Sequence, residues 1–479
     1  MRNFVDGATL QSQPVGTADT GGARVHFVGI GGSGMSGLAG LLNGLGADVT
    51  GSDLTAFDGI GPLVADGVRV SIGHREDYLE PGVEMVVVSA AIPETNPELI
   101  VARRRGVTVR KYAEVLGWLM RSRLAGNNGV AIAGTHGKSS TTAMCAHLCR
   151  EAGLSPSFLV GARSEQLGGS SGLGSGSSFI VEACEFDRSF LHLSPASAAI
   201  LNIEADHVDY YPTFDEIVAA FAQFAANVAP GGLLVVNGDD DWTVRAAEAT
   251  PARVETFGFS ERSDWRAINV RNESGCPAFE VHRHGERVLE TRLSVPGLHN
   301  AANALAAVAL AVDAGADASA LAEPLSTYSG VCRRLYWRGQ GGGVTIIDDY
   351  AHHPTEVRVS IEAVRYRYRP KRTWVVFQPH QNARTRHFMD DFAVSFGDVD
   401  EVIVPDVYGA REGDRAGGLG HSEELVDRIC KQGGRAQYLP SLQAVTEHLT
   451  RHVVDGDLVL TMGAGDVWKV ADELVERIC

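Results

Sequence analysis

The amino-acid sequence predicts an α/β protein of three domains, each with a mainly parallel sheet. The chain has 479 residues, more than one hydrophobic core supports, which suggests domains of roughly 100–200 residues each. Short apolar segments alternate with helical segments in three successive regions of the chain. This alternation is typical of parallel sheets covered by helices, because two parallel strands need a long crossover connection.

The first domain is predicted over 24–126, after a loose polar arm over 1–23 that lacks hydrophobic periodicity. It begins with the buried strand RVHFVGI, the turn GGSGM and the helix SGLAGLLNGLG, and the strand ADVTGSD follows. The apolar segment at 85–92 indicates another parallel strand. This order of strand, glycine turn, helix and strand predicts a Rossmann-like domain.

The second domain is predicted over 127–328 and the third over 329–479. The second restarts the pattern of strand, glycine turn and helix over 127–153, and an alanine-rich helix is expected from Asn300 to Asp313. Further apolar strands of the second domain lie at 179–183, 198–203 and 233–236. The strands of the third domain lie at 344–348, 374–377, 401–404 and 458–461.

Composition excludes several classes of protein. The chain carries 42 basic and 59 acidic residues, a net charge of −17, whereas nucleic-acid binding needs a basic face. No apolar stretch approaches the roughly 20 residues of a membrane span, and no export signal is visible. The seven cysteines include no CxxC pair, so we expect reduced thiols in a cytoplasmic protein with no nucleic-acid or membrane partner.

The sharpest functional signal is a glycine-rich turn between a strand and a helix. Glycines allow a backbone to wrap a phosphate, and the helix N-terminus offers unpaired N–H groups. Lys138 supplies a charge for terminal phosphates, and the Ser139 hydroxyl is placed to bind Mg²⁺. A surface lysine on an ordinary turn is the alternative. The turn consists of Gly134, Thr135, His136, Gly137, Lys138, Ser139 and Ser140.

Other polar residues occur where a site would need them. Glu182 ends an apolar strand, where a carboxylate is a sensible metal ligand, although a solvated strand-end acid is the alternative. His207 follows a further strand and, on spacing alone, is more often structural. Asn300 and Asn303 share one face of the alanine-rich helix, where Asn300 could simply be an N-cap.

A second glycine turn, GIGGSG, lies in the first domain, with Asp53 about 20 residues further on. The motif satisfies GxGxxG through Gly29, Gly31 and Gly34, with Gly32 between them. Alone it indicates an NAD-dependent oxidoreductase. That hypothesis leaves the second phosphate turn without a use, and we recognise no complete set of hydride-transfer residues.

Six ordered motifs resemble the Mur ligases of peptidoglycan synthesis, as does the GTHGKS turn. They extend through the second and third domains and read VEACEFDRSF, LNIEADHVDYY, VNGDD, GLHNAANALAA, IDDYAHHPTEV and FQPHQNARTR. The combination GTHGK, NIEADH and DDYxHHPTE is most similar to the family members that add the first amino acid, L-alanine.

This resemblance implies a fold and an activity. It implies a Rossmann-like N-terminal domain, a central P-loop ATPase-type domain and a Rossmann-like C-terminal domain. The implied enzyme uses ATP and Mg²⁺ to join L-alanine to the lactyl carboxylate of UDP-N-acetylmuramate through an acyl phosphate. The first glycine turn would then hold the diphosphate of the UDP-sugar instead of NAD. A monomer or homodimer is expected.

The resemblance also implies roles for individual residues. The catalytic residues would be Lys138, Glu182, His207, Arg334 and His352, and the metal ligands Ser139, Glu182 and His207. ATP would contact the phosphate turn together with Asn300, Asn303, Arg333, Arg334 and Asp349. The UDP-sugar would contact Gly29, Gly31, Gly32, Gly34, Asp53, His74, Ser89, Ala91 and Asn96. The acceptor amino acid would face Tyr350, His352, His380 and Arg384.

Three positions depart from the usual alanine-adding pattern. Ser139 replaces a threonine and keeps the hydroxyl, whereas Cys184 replaces an acid. Gln381 replaces an arginine in FQPHQNARTR, and an amide cannot make the bidentate pair with a carboxylate that arginine makes. Glycine or L-serine is therefore an alternative acceptor. Further alternatives are the family members that reattach recycled murein peptides, and an inert nucleotide-binding scaffold.

Overall fold

The computed structural model describes residues 21–57, 59–122, 128–397, 399–409 and 420–478. Residues 1–20 of the predicted arm lie outside the described residues. The described chain forms three sheets of five, ten and six strands, which confirms the predicted α/β fold. No helix in these described ranges is long and apolar enough to cross a membrane.

The first sheet is wholly parallel, with strand order β3-β2-β1-β4-β5. Its strands are β1 (Arg24–Val28), β2 (Asp48–Asp53), β3 (Arg69–Ile72), β4 (Met85–Val88) and β5 (Thr108–Lys111). Its helices are α1 (Ser33–Gly44), α2 (Ile60–Ala65), α3 (Pro97–Arg104) and α4 (Tyr112–Arg121). The order changes direction at β1, and the glycine turn that follows β1 lies at this switch point, where such sheets bind ligands.

The second sheet has ten strands in the order β15-β14-β13-β12-β11-β10-β6-β9-β7-β8. The strands are β6 (Asn128–Ala133), β7 (Ser157–Ser164), β8 (Gly169–Gly172), β9 (Ser178–Glu182), β10 (Ser197–Ile200), β11 (Leu233–Asn237), β12 (Arg253–Gly258), β13 (Trp265–Glu273), β14 (Cys276–Arg283) and β15 (Glu286–Arg292). The helices are α5 (Lys138–Glu151), α6 (Phe214–Ala226), α7 (Asp241–Ala247), α8 (Leu298–Asp313) and α9 (Ala322–Thr327).

The third sheet has the order β16-β17-β21-β18-β19-β20 and is parallel except for the β16–β17 pair. Its strands are β16 (Tyr336–Gly341), β17 (Val344–Asp349), β18 (Arg372–Phe377), β19 (Glu401–Val404), β20 (Ala436–Tyr438) and β21 (Asp457–Met462). Its helices are α10 (Pro354–Tyr368), α11 (Asn382–His387), α12 (Met389–Ser395), α13 (His421–Lys431), α14 (Leu442–His452) and α15 (Trp468–Ile478).

The antiparallel extension β13–β15 is an element that apolar-run analysis did not predict. Its first strand alternates buried and exposed residues only in its first half. Two tight turns join the three strands, at Ser274–Gly275 and His284–Gly285, and all four turn residues have positive φ. Such turns match the twist of a hairpin. The pairs Ser274–Gly275 and His284–Gly285 are therefore the sequence feature that would have predicted these hairpins.

The first and second domains share one continuous apolar cluster. Phe27 and Leu38 of the first domain belong to the same cluster as Leu159 and Phe190 of the second. The glycine face of α1 makes this approach possible, since a Cβ at Gly37 would lie 3.5 Å from Leu159 Cγ. The two domains are therefore packed together through buried apolar surface, which favours association.

The order of strands in the second sheet brings the predicted site together. β6 lies between β10 and β9 and is parallel to both. The segments that follow the carboxyl ends of these three strands meet at one edge of the sheet. They carry the phosphate turn, Glu182 and His207, and this edge is where open α/β sheets bind ligands.

Candidate active site

The phosphate turn connects β6 to α5 through Gly134 and Gly137, whose φ values are 147° and 82°. Residues with side chains rarely adopt such values. Asn202, just after β10, holds the turn on both sides: its Oδ1 accepts from His136 N at 2.7 Å and its Nδ2 donates to His136 O at 3.1 Å. The turn therefore presents the N-terminus of α5 in a form suited to a phosphate.

Lys138 begins α5 and lies within the turn. Its Nζ donates to Gly134 O at 2.5 Å and to Thr135 O at 2.9 Å, and it lies 2.9 Å from Glu185 Oε2. Burial opposes both charges, yet their mutual attraction raises the pKa of Lys138 and lowers the pKa of Glu185. Lys138 is thus charged and paired with a carboxylate that a phosphate could replace.

Glu185, Asp206 and His207 form a group that we name the carboxylate cluster. Their potential ligand atoms lie within 4.8 Å of one another. His207 Nε2 lies 3.3 Å from Glu185 Oε1 and 3.7 Å from Asp206 Oδ2. Mg²⁺ prefers carboxylate oxygens, so this donor set fits a divalent cation. His207 was predicted as a ligand, whereas Glu185 and Asp206 were not.

The other two predicted metal ligands lie at the edges of the same site. Glu182 ends β9, and its Oε2 accepts the Gly161 N–H at 2.7 Å. Ser139 is buried in the first turn of α5. Their coordination of a metal stays a prediction.

His136 of the phosphate turn is bonded to the third domain. Its Nδ1 lies 3.1 Å from Glu356 Oε1, on α10, and its Nε2 lies 3.5 Å from Glu204 Oε2. Burial lowers the pKa of His136, but these two carboxylates outweigh burial and raise it to about 9. Glu356 also lies 3.7 Å from Arg334 Nη1. The phosphate turn and α10 are therefore linked directly.

Asn300 and Asn303 are both buried on α8. Asn303 Nδ2 donates to Asn300 Oδ1 at 3.2 Å, and Asn300 Nδ2 donates to Pro296 O at 2.7 Å. Asn303 also borders the phosphate turn, because a Cβ at Gly137 would lie 2.7 Å from Asn303 Oδ1. Asn303 thus lies beside the phosphate turn, and the ATP contacts of both residues stay predictions.

The two neighbouring arginines have different surroundings. Both guanidinium groups lie 4.9 Å from the centre of the Tyr350 ring. Arg333 donates to Gly463 O at 2.7 Å and to Asp348 Oδ2 at 3.3 Å, which ties it to the third sheet. Arg334 instead approaches Glu356, the partner of His136. This geometry favours Arg334 as the residue that reaches the nucleotide.

Asp349 lies at the end of β17. Its carboxylate accepts the backbone N–H groups of Leu335 and Ala351, each at 2.7 Å. Burial raises the pKa of Asp349 to about 7, although Arg334 opposes that shift. Asp349 therefore organises the backbone beside the two arginines, and its contact with ATP stays a prediction.

The predicted acceptor residues His352, His380 and Arg384 are neighbours. The rings of His352 and His380 lie 6.0 Å apart, and His380 Nδ1 lies 3.0 Å from Arg384 Nη1. Burial lowers the pKa of His352 to about 4, so its imidazole is neutral near pH 7. Gln381 is buried between His380 and α11 with a φ of 67°.

The glycine turn of the first domain is closed by its own acid. Gly29 has a φ of 82°, and the Gly31 N–H donates to Asp53 Oδ2 at 2.7 Å. A Cβ at Gly31 would lie 2.6 Å from Phe57 Cδ1, and one at Gly34 would lie 2.9 Å from the Tyr112 hydroxyl. The turn, with Gly32 before α1, therefore needs glycine at Gly31 and Gly34 to pack against Phe57 and Tyr112.

The remaining predicted UDP-sugar residues form hydrogen bonds inside the first domain. His74 Nδ1 lies 2.9 Å from Glu98 Oε1, and Ser89 Oγ accepts from Ala91 N at 3.4 Å. Asn96 caps α3, because its Oδ1 accepts from Glu98 N at 2.9 Å. Their contacts with a UDP-sugar stay predictions.

Comparison with known proteins identifies the family. The descriptions "Mur ligase family, catalytic domain", "Mur ligase middle domain" and "Mur ligase, glutamate ligase domain" match residues 24–124, 132–311 and 333–465. The chain belongs to the Mur ligase family. This result confirms the resemblance found in the sequence motifs.

Relatives of this Mur ligase match it along nearly the whole chain. A UDP-N-acetylmuramate–L-alanine ligase of Clostridium novyi is 40% identical over 453 residues, covering 95% of this chain and 97% of that protein. A solved UDP-N-acetylmuramate–alanine ligase of Thermotoga maritima is 28% identical with a TM-score of 0.82, covering 95% and 98% of the two chains.

A murein peptide ligase of Psychrobacter arcticus has the same fold. Its structure has a TM-score of 0.74 and 24% identity, covering 95% of this chain and 99% of that one. The similarity at this identity is one of fold.

Proposed function

We propose that this Mur ligase joins L-alanine to the lactyl carboxylate of UDP-N-acetylmuramate, with conversion of ATP to ADP and phosphate. The observation that carries the proposal is that residues of the second and third domains lie together at one site. The phosphate turn and the carboxylate cluster of the second domain meet Arg334, His352 and Arg384 of the third. The near full-length similarity to UDP-N-acetylmuramate–L-alanine ligases supports the same activity.

The first step brings two anions together, because the sugar's carboxylate attacks the γ-phosphate of ATP. Such a step depends on positive charge and positioning more than on proton transfer. We expect Lys138 to exchange Glu185 for the terminal phosphates, and Arg334 to add a second charge. The carboxylate cluster, with Ser139 and Glu182 as further candidates, would hold Mg²⁺, which supplies additional charge to the phosphates when bound.

The second step is the attack of the acceptor amine on the acyl phosphate, which releases phosphate. The amine must be unprotonated, so activity should increase above neutral pH. His352 is held neutral by burial and can accept a hydrogen bond from that amine. Among the described residues, no hydrogen bond joins the Ser139 hydroxyl or the Cys184 thiol to a base, which supports a path without a covalent enzyme adduct.

Arg384 is held in place by two residues of the site. Its Nε and Nη2 donate to Asp206, and its Nη1 lies 3.0 Å from His380 Nδ1. Each of the three nitrogens therefore has a protein partner, while Nη1 and Nη2 each carry a second N–H. We infer that Arg384 positions His380 and the carboxylate cluster, and that the acceptor's carboxylate would contact the second N–H groups of Nη1 and Nη2.

The proposal is tested by phosphate release with a panel of acceptors. The chain is incubated with ATP, Mg²⁺ and UDP-N-acetylmuramate, together with L-alanine, glycine, L-serine or a murein tripeptide. We expect the highest kcat/KM with L-alanine. Release only with the tripeptide would instead assign the chain to peptide recycling. A Gln381→Arg variant should lower the KM for the amino acid if Gln381 lies near its carboxylate.

The cytoplasmic location and the monomeric or homodimeric state stay predictions. Sedimentation of the purified chain with and without substrates would measure the second.

A further inference from the structure

His136, Glu204 and His353 form a second cluster of potential metal ligands, composed of residues outside the carboxylate cluster. Their ligand atoms all lie within 4.8 Å of one another. His136 comes from the phosphate turn, Glu204 from the segment after β10, and His353 from the residue before α10. The cluster therefore joins the second domain to the third.

The distances in this cluster are close to those of a tetrahedral transition-metal site. Glu204 Oε2 lies 3.5 Å from His136 Nε2 and 3.7 Å from His353 Nδ1. Zinc bonds of about 2.0–2.1 Å in a tetrahedral arrangement place neighbouring ligand atoms about 3.3 Å apart. Each of these two distances from Glu204 Oε2 would have to shorten by less than half an ångström to match a tetrahedral zinc site.

The second nitrogen of each imidazole already has the partner that a metal-bound histidine needs. His136 Nδ1 lies 3.1 Å from Glu356 Oε1, and His353 Nε2 lies 3.0 Å from Ala205 O. Metal-bound histidines almost always donate their other N–H to a carboxylate or carbonyl, which fixes the tautomer. This leaves His136 Nε2 and His353 Nδ1 as the nitrogens nearest Glu204.

One of these nitrogens has only a long contact with Glu204. His136 Nε2 is buried, and in the described part of the chain it makes no hydrogen bond beyond its 3.5 Å contact with Glu204 Oε2. Since the pKa of His136 is raised to about 9, metal binding near pH 7 releases the proton on this nitrogen. The other nitrogen, His353 Nδ1, accepts one long hydrogen bond from the Thr355 N–H at 3.3 Å. The Thr355 hydroxyl donates to Glu204 Oε2 at 2.7 Å, and a carboxylate oxygen can keep that bond while binding a metal, since it has two lone pairs.

We propose that His136, Glu204 and His353 bind one transition-metal ion of the Zn²⁺ class, at a site separate from that for Mg²⁺. Two imidazoles and one carboxylate suit Zn²⁺ or Co²⁺, whereas Mg²⁺ requires mainly oxygen ligands. The bound ion links the phosphate turn to the start of α10. The site does not depend on which amino acid the enzyme uses.

Co²⁺ is the probe, because tetrahedral Co²⁺ with nitrogen and oxygen ligands absorbs visible light. Metal-free full-length protein is titrated with Co²⁺ in excess Mg²⁺, and bound Zn²⁺ is counted by equilibrium dialysis. We expect one tight ion per chain with a tetrahedral spectrum. Glu204→Gln and His353→Asn should each weaken binding at least tenfold. Asn at position 353 retains the capacity to cap α10, so this second variant preserves the test if the first does not fold.

Two control variants separate this site from its competitors. Glu185→Gln alters the carboxylate cluster, and His452→Gln removes one ring of the surface pair His448–His452, whose centroids lie 4.2 Å apart. Both controls should retain the tight ion. Loss of the ion in either control, displacement of Co²⁺ by excess Mg²⁺, or no tight ion in the wild-type protein would overturn the proposal.

Discussion

The guanidinium of Arg384 and the carboxylate of Asp206 form a buried ion pair between the third and second domains. Arg384 Nη2 and Nε lie 2.8 and 2.9 Å from Asp206 Oδ1. Burial raises the pKa of Asp206, but His207 and Arg384 outweigh burial and hold that pKa well below its usual value. Arg384 of the third domain thus supplies the counter-charge for Asp206 in the carboxylate cluster of the second domain.

Removing Arg384 should destabilise the protein because Asp206 would remain buried without a counter-charge. We expect Arg384→Gln to lower the free energy of unfolding by about 3 kcal/mol and to reduce kcat. Urea unfolding measures the first effect. Arg451→Gln is the matched control, since Arg451 is 69% exposed beside Glu447 and such pairs contribute about 0–1 kcal/mol. Equal losses in the two variants would show that burial of the pair is unimportant.

Lys138 should be essential to phosphoryl transfer. Lys138→Ala is expected to leave less than about one tenth of the wild-type kcat, since a direct charge contact is worth several kcal/mol. The substitution also leaves Glu185 buried without its partner. The double variant Lys138→Met/Glu185→Gln should therefore recover stability without recovering activity. Retention of a tenth or more of kcat by the single variant would refute the assignment.

The contact of His136 with Glu204 and Glu356 should make stability depend on pH. The folded pKa of His136 is raised to about 9, against about 6.5 in an unfolded chain. The resulting stabilisation is complete below about pH 6.5 and is lost as the pH rises through about 9. We expect a loss on the order of 3 kcal/mol over that window, measured by urea unfolding with a chelator present. His136→Gln should flatten the dependence, and an unchanged slope would contradict this account.

The sequence predicted the parts of the site that local spacing defines. Lys138 follows from its position between a glycine turn and a helix, and the parallel strands β6 and β9 follow from uninterrupted apolar runs. Glu182 was singled out because it ends an apolar strand, whereas His207 was assigned only from the resemblance to the family. Local patterns determine such features, since a strand end and a helix start are properties of neighbouring residues.

Contacts between distant residues were not predictable in this way. Asp206 and Arg384 are separated by 178 positions, and His136 and Glu356 by 220. These pairs depend on how the third domain sits against the second, which no short motif encodes. The same reason explains why Glu185 was missed as the partner of Lys138, although it was read as part of the motif EACEFD.

Gly31 should be required for binding the UDP-sugar. Gly31→Ala would place a Cβ 2.6 Å from Phe57 Cδ1 and 2.8 Å from Asp53 Oδ2, which displaces the turn. Calorimetry of the whole chain should show binding of UDP-N-acetylmuramate by the wild type and at least tenfold weaker binding by the variant. NAD(P)H should not bind either protein. Micromolar binding of NAD(P)H would instead favour the oxidoreductase hypothesis.

Transfer of oxygen from substrate to phosphate tests the central claim most directly. UDP-N-acetylmuramate labelled with ¹⁸O in its lactyl carboxylate is incubated with ATP, Mg²⁺, L-alanine and the enzyme, and the released phosphate is analysed by mass spectrometry. An acyl phosphate requires one labelled oxygen to leave with phosphate when the amine attacks. We predict one ¹⁸O atom in each phosphate released from doubly labelled substrate. Phosphate without label, with the departing ¹⁸O found in water or in the nucleotide product, would contradict the acyl-phosphate path.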